Sequence, residues 1–86
     1  MPFLTERRVT YPDGQTVVLM TVGDRAAVSA SIQANLRMAG WTLLQGTVDG
    51  WENAVKCLSS AQADLSRLLT DERARREHRR QARAAK

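Results

Sequence analysis

The chain has 86 residues, a length that allows one domain with a barely sufficient hydrophobic core. Hydrophobic residues make up 43% and charged residues 26%, which excludes a disordered chain. No apolar run approaches the roughly 18 residues that a membrane helix needs. The N-terminal residues MPFLTERR lack the layout of a signal peptide, and one cysteine excludes a disulfide framework. We therefore expect a cytoplasmic protein with no membrane partner.

The formal net charge of +4 is confined to residues 71–86. Residues 1–70 contain six basic and six acidic side chains and are therefore neutral. Residues 71–86 contain seven basic side chains and three acidic ones. This asymmetry predicts a compact domain over 1–70 followed by a basic helical extension over 71–86.

The first predicted element is a β-hairpin. Residues 11–15, YPDGQ, have proline where φ is about −65° and glycine where φ is positive, which is typical of a type I turn closed by a G1 bulge. This turn sets Val9 opposite Val17 and Arg7 opposite Leu19.

The two strands are predicted at about 4–11 and 16–22. The second strand is apolar on both faces, with Val17 and Leu19 on one face and Val18, Met20 and Val22 on the other. Such a strand needs another neighbour, which is either a third strand at 41–47 or a second subunit.

A covering helix is predicted at Arg25–Ala39, with Asp24 as its N-cap and Gly40 as its stop. The following segment, 41–48, is strand-like in composition, and an irregular connection is the alternative to a third strand.

A long helix is predicted to begin at the capping box Asp49-Gly50-Trp51-Glu52. Its large apolar residues recur at heptad-like intervals, with one glutamine among them: Trp51, Val55, Leu58, Gln62, Leu65 and Leu69. Gln62 either specifies the register of a helix pair or lies at the rim of the core. Beyond Leu69 the helix either continues or starts again at 70–72.

The sequence therefore predicts an α+β fold with a hairpin of two or three strands, one covering helix and a long C-terminal helix. The predicted core consists of apolar residues from all of these elements: Val9, Val17, Leu19, Val28, Ile32, Leu36, Trp41, Leu44, Trp51, Val55, Leu58, Leu65 and Leu69.

No pattern of residues predicts catalysis. His78 is the only histidine and stands among arginines, and Cys57 has no base beside it. Most acidic residues of 1–70 suit turns or helix starts, and the glycines form no phosphate-binding loop. We expect no enzyme activity, cofactor, bound metal or small-molecule ligand.

The basic extension is a candidate contact for nucleic acid, another anion or an acidic partner through its cationic residues: Arg73, Arg75, Arg76, Arg79, Arg80, Arg83 and Lys86. A solvated helix is the alternative, because opposite charges recur four residues apart at its start.

Eleven Arg against two Lys, abundant Ala and the lack of motifs resemble small proteins encoded by actinobacterial phages. The resemblance rests on composition along the whole chain and transfers no functional residue; it implies the host cytoplasm as the location. We expect a protein-interaction module, either a host-factor binder or a small assembly component. Self-association as a homo-oligomer is predicted through the sheet edge or the helix: Val18, Met20, Leu58, Gln62, Leu65 and Leu69. The alternative is a nucleic-acid-associated protein.

Overall fold

The computed structural model of this chain describes residues 8–85. It contains a two-stranded antiparallel β-hairpin followed by two long helices: β1 at Arg8–Thr10, β2 at Thr16–Val18, α1 at Val22–Leu44 and α2 at Val48–Ala84. The α+β class and the N-terminal hairpin are confirmed. The molecule is 58 Å long, because α2 extends well beyond α1.

The hairpin turn has the predicted geometry. Gly14 has φ +92°, and its N–H donates to Tyr11 O over 2.9 Å. The N–H of Tyr11 donates to Gln15 O over 2.8 Å. Val9 lies opposite Val17, as the turn predicts. The predicted pair of Arg7 with Leu19 and the predicted strand residues 4–7 fall outside the described residues. Within them, both strands are shorter than predicted.

Helix α1 begins earlier and ends later than predicted. Its N-cap is Thr21, and Asp24 lies at the third helical position, where the two residues form a capping box. The predicted N-cap at Asp24 is therefore wrong. The helix also runs through Gly40, and the left-handed residue that follows it is Gly46, with φ +66°.

The strand predicted at 41–47 is wrong, because residues 41–44 are the last turn of α1 and 45–47 are the connection. Strand-like composition is outweighed here by packing against α2. Thr42, near the end of α1, is buried against the start of α2. Its hydroxyl donates to the carbonyl of Met38 in the same helix over 3.0 Å. The sheet of the described residues therefore has two strands. The predicted covering helix does not cover it, because α1 packs on α2 and only α2 contacts the strands.

Helix α2 is continuous from Val48 to Ala84, so the alternative of a new helix start at 70–72 is not observed. Its N-cap is Thr47, whose hydroxyl accepts from Gly50 N over 3.0 Å. The predicted capping box at Asp49 is wrong by two positions. The shorter threonine side chain caps the helix. Asp49 lies in the first turn, where its negative charge interacts favourably with the helix dipole.

The two helices pack antiparallel along a line of mostly small or medium-sized residues. On α1 the line consists of five residues that are all buried or half-buried: Val28, Ile32, Asn35, Ala39 and Thr42. On α2 it begins with Gly50, Ala54, Cys57 and Ala61, which we call the small-residue stripe. The backbones approach closely near the turn, where a Cβ on Gly50 would lie 2.5 Å from Thr42 O.

This packing corrects the predicted core. Three of the predicted residues are buried (Val9, Leu19, Val28) and two are half-buried (Val17, Ile32). The other eight are exposed by 47% to 84%: Leu36, Trp41, Leu44, Trp51, Val55, Leu58, Leu65 and Leu69. For the five of these residues that lie on α2, the reason is that α2 faces α1 with the residues one position before the predicted stripe.

The hairpin packs on the C-terminal half of α2. Val9 and Leu19 form a small core with Ala74, which is fully buried, and Tyr11 and Val17 pack against it. Gln81 also donates to Thr10 O over 2.8 Å. These contacts cross the predicted boundary after Thr70, so the basic extension provides the surface on which the hairpin rests.

Candidate functional site

A line of large apolar side chains on α2 has no cover within the described residues. We call it the large-residue stripe: Trp51, Val55, Leu58, Leu65 and Leu69. Each of these side chains is exposed by 47% to 63%. Each of these residues comes one position after a residue of α2 that faces α1. One position along an α-helix turns the side chain by about 100° around the helix axis.

Helix α1 extends this surface with Leu36 and Leu43, exposed by 50% and 58%. Each follows a residue of the α1 contact line by one position, as the large-residue stripe does on α2. In an antiparallel helix pair such positions lie on the same side. The ion pair between Arg25 Nη2 and Glu72 Oε1, 3.3 Å apart, joins the two helices on that side. We call the seven side chains together the apolar face.

Gln62 lies in the middle of the apolar face. It is exposed, and its side chain forms no hydrogen bond to any described residue. The neighbouring stripe residues are Leu58 on one side and Leu65 on the other. The placement fits neither an intrachain register contact nor the rim of the core, because the stripe has no partner among residues 8–85.

The predicted self-association residues fall on two surfaces. Leu58, Gln62, Leu65 and Leu69 belong to the apolar face. Val18 and Met20 instead line an open groove of about 400 Å³ between the hairpin and the opposite side of α2. Val18 is half-exposed there, whereas the backbone of Met20 is held by polar contacts.

Those polar contacts centre on Asp71, which is 2% exposed. Its Oδ1 accepts from Met20 N over 2.7 Å, and its Oδ2 accepts from Arg75 Nε over 2.9 Å. Arg75 Nη2 donates in turn to Met20 O over 2.5 Å. Arg25 Nε lies 3.5 Å from Asp71 Oδ2. One carboxylate therefore joins the hairpin exit, the start of α1 and the middle of α2.

The environment of Asp71 acts on its pKa in both directions. Burial raises the pKa, but the hydrogen bonds from Arg75 and Met20 and the charges of Arg75 and Arg25 outweigh burial. The net pKa of Asp71 lies below its ordinary value of 3.8, so the carboxylate is ionised at neutral pH. Sequence reasoning missed this role, because Asp71 falls where a new helix start was also plausible.

Most of the cationic residues of the extension contact its own acids. Arg76 and Arg79 approach Glu72 within 3.7 Å and 3.3 Å, and Arg80 forms a two-point pair with Glu77. Desolvation raises the pKa of Glu72, but the hydrogen bonds from Arg79 and Arg25 outweigh it, and the net pKa is lowered. The hydrogen bond from Arg80 lowers the pKa of Glu77, and the same pair raises the pKa of Arg80.

The remaining candidate contacts of the extension are fewer than the sequence suggests. Arg75 is committed to Asp71 and Met20. Arg73 and Arg83 are exposed and form no ion pair with any described residue. Lys86 lies outside the described residues. Four of the arginines of the extension therefore contact its acids: Arg75, Arg76, Arg79 and Arg80.

Other chemical sites are not apparent within residues 8–85. Cys57 is half-buried on the small-residue stripe, and His78 is exposed. No cluster of three or more potential metal-ligating side chains occurs there, and no helix in this range is long and apolar enough to cross a membrane. Comparisons with family models, with curated proteins and with solved structures find no match.

Proposed function

We propose that this protein is a non-enzymatic protein-interaction module that associates with itself through the apolar face. A small assembly component or a host-factor binder of the phage type, acting in the host cytoplasm, fits this role. The observation that carries the proposal is the set of seven large apolar side chains left about half-exposed on one side of the helix pair.

The size of the surface supports an interaction rather than chance exposure. Half of the surface of seven large side chains amounts to roughly 600 Å², at or above the largest apolar patch of a typical monomer. Burying that area contributes on the order of 15 kcal/mol before the entropic cost of association, at about 25 cal/mol per Å². Single exposed leucines need no explanation, but a continuous line across two helices does.

The alternative function, phosphate binding by the basic extension, is less well supported. Arg75 stabilises the fold, and Arg76, Arg79 and Arg80 contact acids of the extension. A nucleic acid would have to compete with these ion pairs. If it binds, affinity for duplex DNA should fall with salt at a log–log slope of about −0.9 for each phosphate contacted.

Light scattering across a concentration series tests the self-association. The wild-type chain should increase in molar mass with concentration, and the double variant Leu58→Glu/Leu65→Glu should stay monomeric. Met38→Glu is the matched control, because Met38 is also about half-exposed but lies on the other side of α1. A wild-type chain that is monomeric at every concentration would refute the proposal, and so would equal effects of the two kinds of substitution.

The same series separates the two candidate functions. Replacing Arg76 and Arg83 with Gln removes exposed charge without touching the contacts of Asp71. We expect this variant to associate like the wild type. Loss of DNA binding in this variant, together with an unchanged monomeric mass, would favour the nucleic-acid function instead.

A further inference from the structure

We infer that the occupant of the apolar face is a second copy of this chain, whose α2 runs antiparallel to the first α2. This inference rests on the proposed function and adds to it the geometry of the dimer. The two copies are related by a two-fold axis that crosses α2 near Ser60. Each face then covers the other, since a two-fold contact uses the same surface on both copies.

The spacing of the stripe determines the register. The stripe positions, with Gln62 included, are separated by alternating steps of four and three residues. In an antiparallel pair the side chains pack best when a residue that precedes a three-residue step lies opposite a partner residue that follows one. Only one alignment brings every member of the stripe into such a pair. It places Trp51 against the partner's Leu69, Val55 against the partner's Leu65, and Leu58 against the partner's Gln62. The two-fold axis repeats each pair, giving six layers about 27 Å long at 1.5 Å per residue.

Gln62 acquires a role in this register. It lies in the two central layers, each beside the partner's Leu58, and its amide is close to the two-fold axis. In this register the two Gln62 residues lie only about 6 Å apart along the helices, so their amides can contact each other, and a shifted alignment separates them. The exposed amide without a hydrogen bond within the described residues is thus explained by a contact between copies.

Charge favours the antiparallel arrangement. Residues 71–86 carry the whole net charge of +4, so a parallel pair would bring two basic extensions side by side. An antiparallel pair places them at opposite ends of the dimer. Glu52 of one copy and Arg73 of the other then lie beside the Trp51–Leu69 layer at each end of the contact. Both are exposed, and neither forms an ion pair among residues 8–85, so each is free to contact the partner's oppositely charged residue.

The buried area is adequate for a specific dimer. The apolar face provides roughly 600 Å² per copy, and the polar residues around it bring the contact to about the 800 Å² per partner of a standard interface. The buried core described for one chain is small by comparison, since four of the seven buried apolar side chains among residues 8–85 are Ala.

Disulfide trapping tests the register directly. The background is Cys57→Ala, which removes the native thiol and leaves a residue that suits the small-residue stripe. Equal amounts of a Val55→Cys chain and a Leu65→Cys chain are mixed and oxidised. We expect the mixed disulfide as the main product. Val55→Cys alone should not cross-link, because its two copies lie about 15 Å apart along the helices in this register.

The outcomes separate the inference from the proposed function. A Val55→Cys homodisulfide formed faster than the mixed product would show a parallel dimer and overturn the register. A dimer by light scattering without the mixed disulfide would likewise overturn the inference but leave self-association intact. A monomer by light scattering at every concentration would overturn both.

A charge exchange provides an independent test. Glu52→Arg and Arg73→Glu should each weaken the dimer about fivefold, because each sets two like charges together at both ends of the interface. The double variant should return to within about twofold of the wild-type dissociation constant. Additive weakening in the double variant would show that Glu52 and the partner's Arg73 are not in contact.

Discussion

Helix α2 carries two lines of residues that are offset by one position and have opposite surroundings. The small-residue stripe is buried or half-buried against α1 of the same chain. The large-residue stripe, one residue further along at each step, is about half-exposed. The difference shows that most of the large apolar residues of this helix do not pack against α1.

Close approach of the backbones explains this choice. Gly50 lies so near Thr42 that any Cβ would collide with the carbonyl oxygen, and alanines continue the same line. Large side chains facing α1 would hold the helices at the wider end of the usual 8–10 Å separation. The small-residue stripe allows this close approach of the helices, and the large-residue stripe stays about half-exposed.

The largest expected effect comes from Asp71, the buried end of the line that faces α1. Asp71→Asn should reduce the free energy of unfolding by about 3 kcal/mol at pH 7, because Arg75 and Arg25 lose their buried counter-ion. Urea unfolding measures this loss. Asp64→Asn is the control on the same line. Its pair with Arg67 is partly exposed, so we expect a loss below about 1 kcal/mol.

The effect of Asp71 should depend on pH. Its pKa is lower in the folded state than in the unfolded chain, so its stabilisation is present above about pH 4 and is lost as pH falls through the folded pKa. The gap in unfolding free energy between wild type and Asp71→Asn should therefore be constant from pH 5 to 7 and shrink toward pH 2. A gap that does not change with pH would contradict an ionised Asp71.

Adding volume to the small-residue stripe should come next. Ala61→Leu should destabilise the chain by about 2 kcal/mol, because the added carbons have no space between the closely packed helices. Leu58→Ala, three residues earlier on the other stripe, should leave the folded monomer within about 1 kcal/mol. It should instead abolish the rise of the unfolding midpoint with protein concentration. Equal destabilisation by both substitutions would remove the distinction between the stripes.

The smallest effect compares two helical glycines. Gly50→Ala should destabilise by about 1 kcal/mol, since the clash with Thr42 O exceeds the gain in helix propensity. Gly40→Ala should stabilise by about 0.5–1 kcal/mol, because no atom lies within 4 Å of its added Cβ. Thermal unfolding of the two variants is the measurement. The same sign for both would contradict the close approach at the turn.

The hairpin was predictable from sequence because its turn is determined locally. Proline and glycine within YPDGQ specify the backbone of the turn, and the opposition of Val9 and Val17 follows. The existence of two helices was predictable for a similar reason, from periodicity. Their ends were not, because Thr21 and Thr47 compete as N-caps with Asp24 and Asp49, and only the folded arrangement selects between them.

The orientation of α2 could not be obtained from hydrophobic periodicity alone. Periodicity identifies the line of largest residues, and here that line faces away from α1. The spacing of Gly50, Ala54, Cys57 and Ala61 was visible in the sequence and is the signal of close helix packing. The part played by Asp71 depends on contacts with Met20 and Arg25 about 50 residues away, which no local pattern encodes.

The central claim, that the large-residue stripe lies against another copy of the chain, is tested most directly by isotope-filtered NOEs in a mixture of labelled and unlabelled wild-type protein. Within one helix, Trp51 and Leu69 are about 27 Å apart, so any NOE between them must connect two molecules. We predict a filtered NOE from the Trp51 indole to the Leu69 methyl groups, alongside intrachain NOEs between Gly50 and Thr42. Intrachain NOEs with no filtered signal from Trp51 at any concentration would contradict the claim.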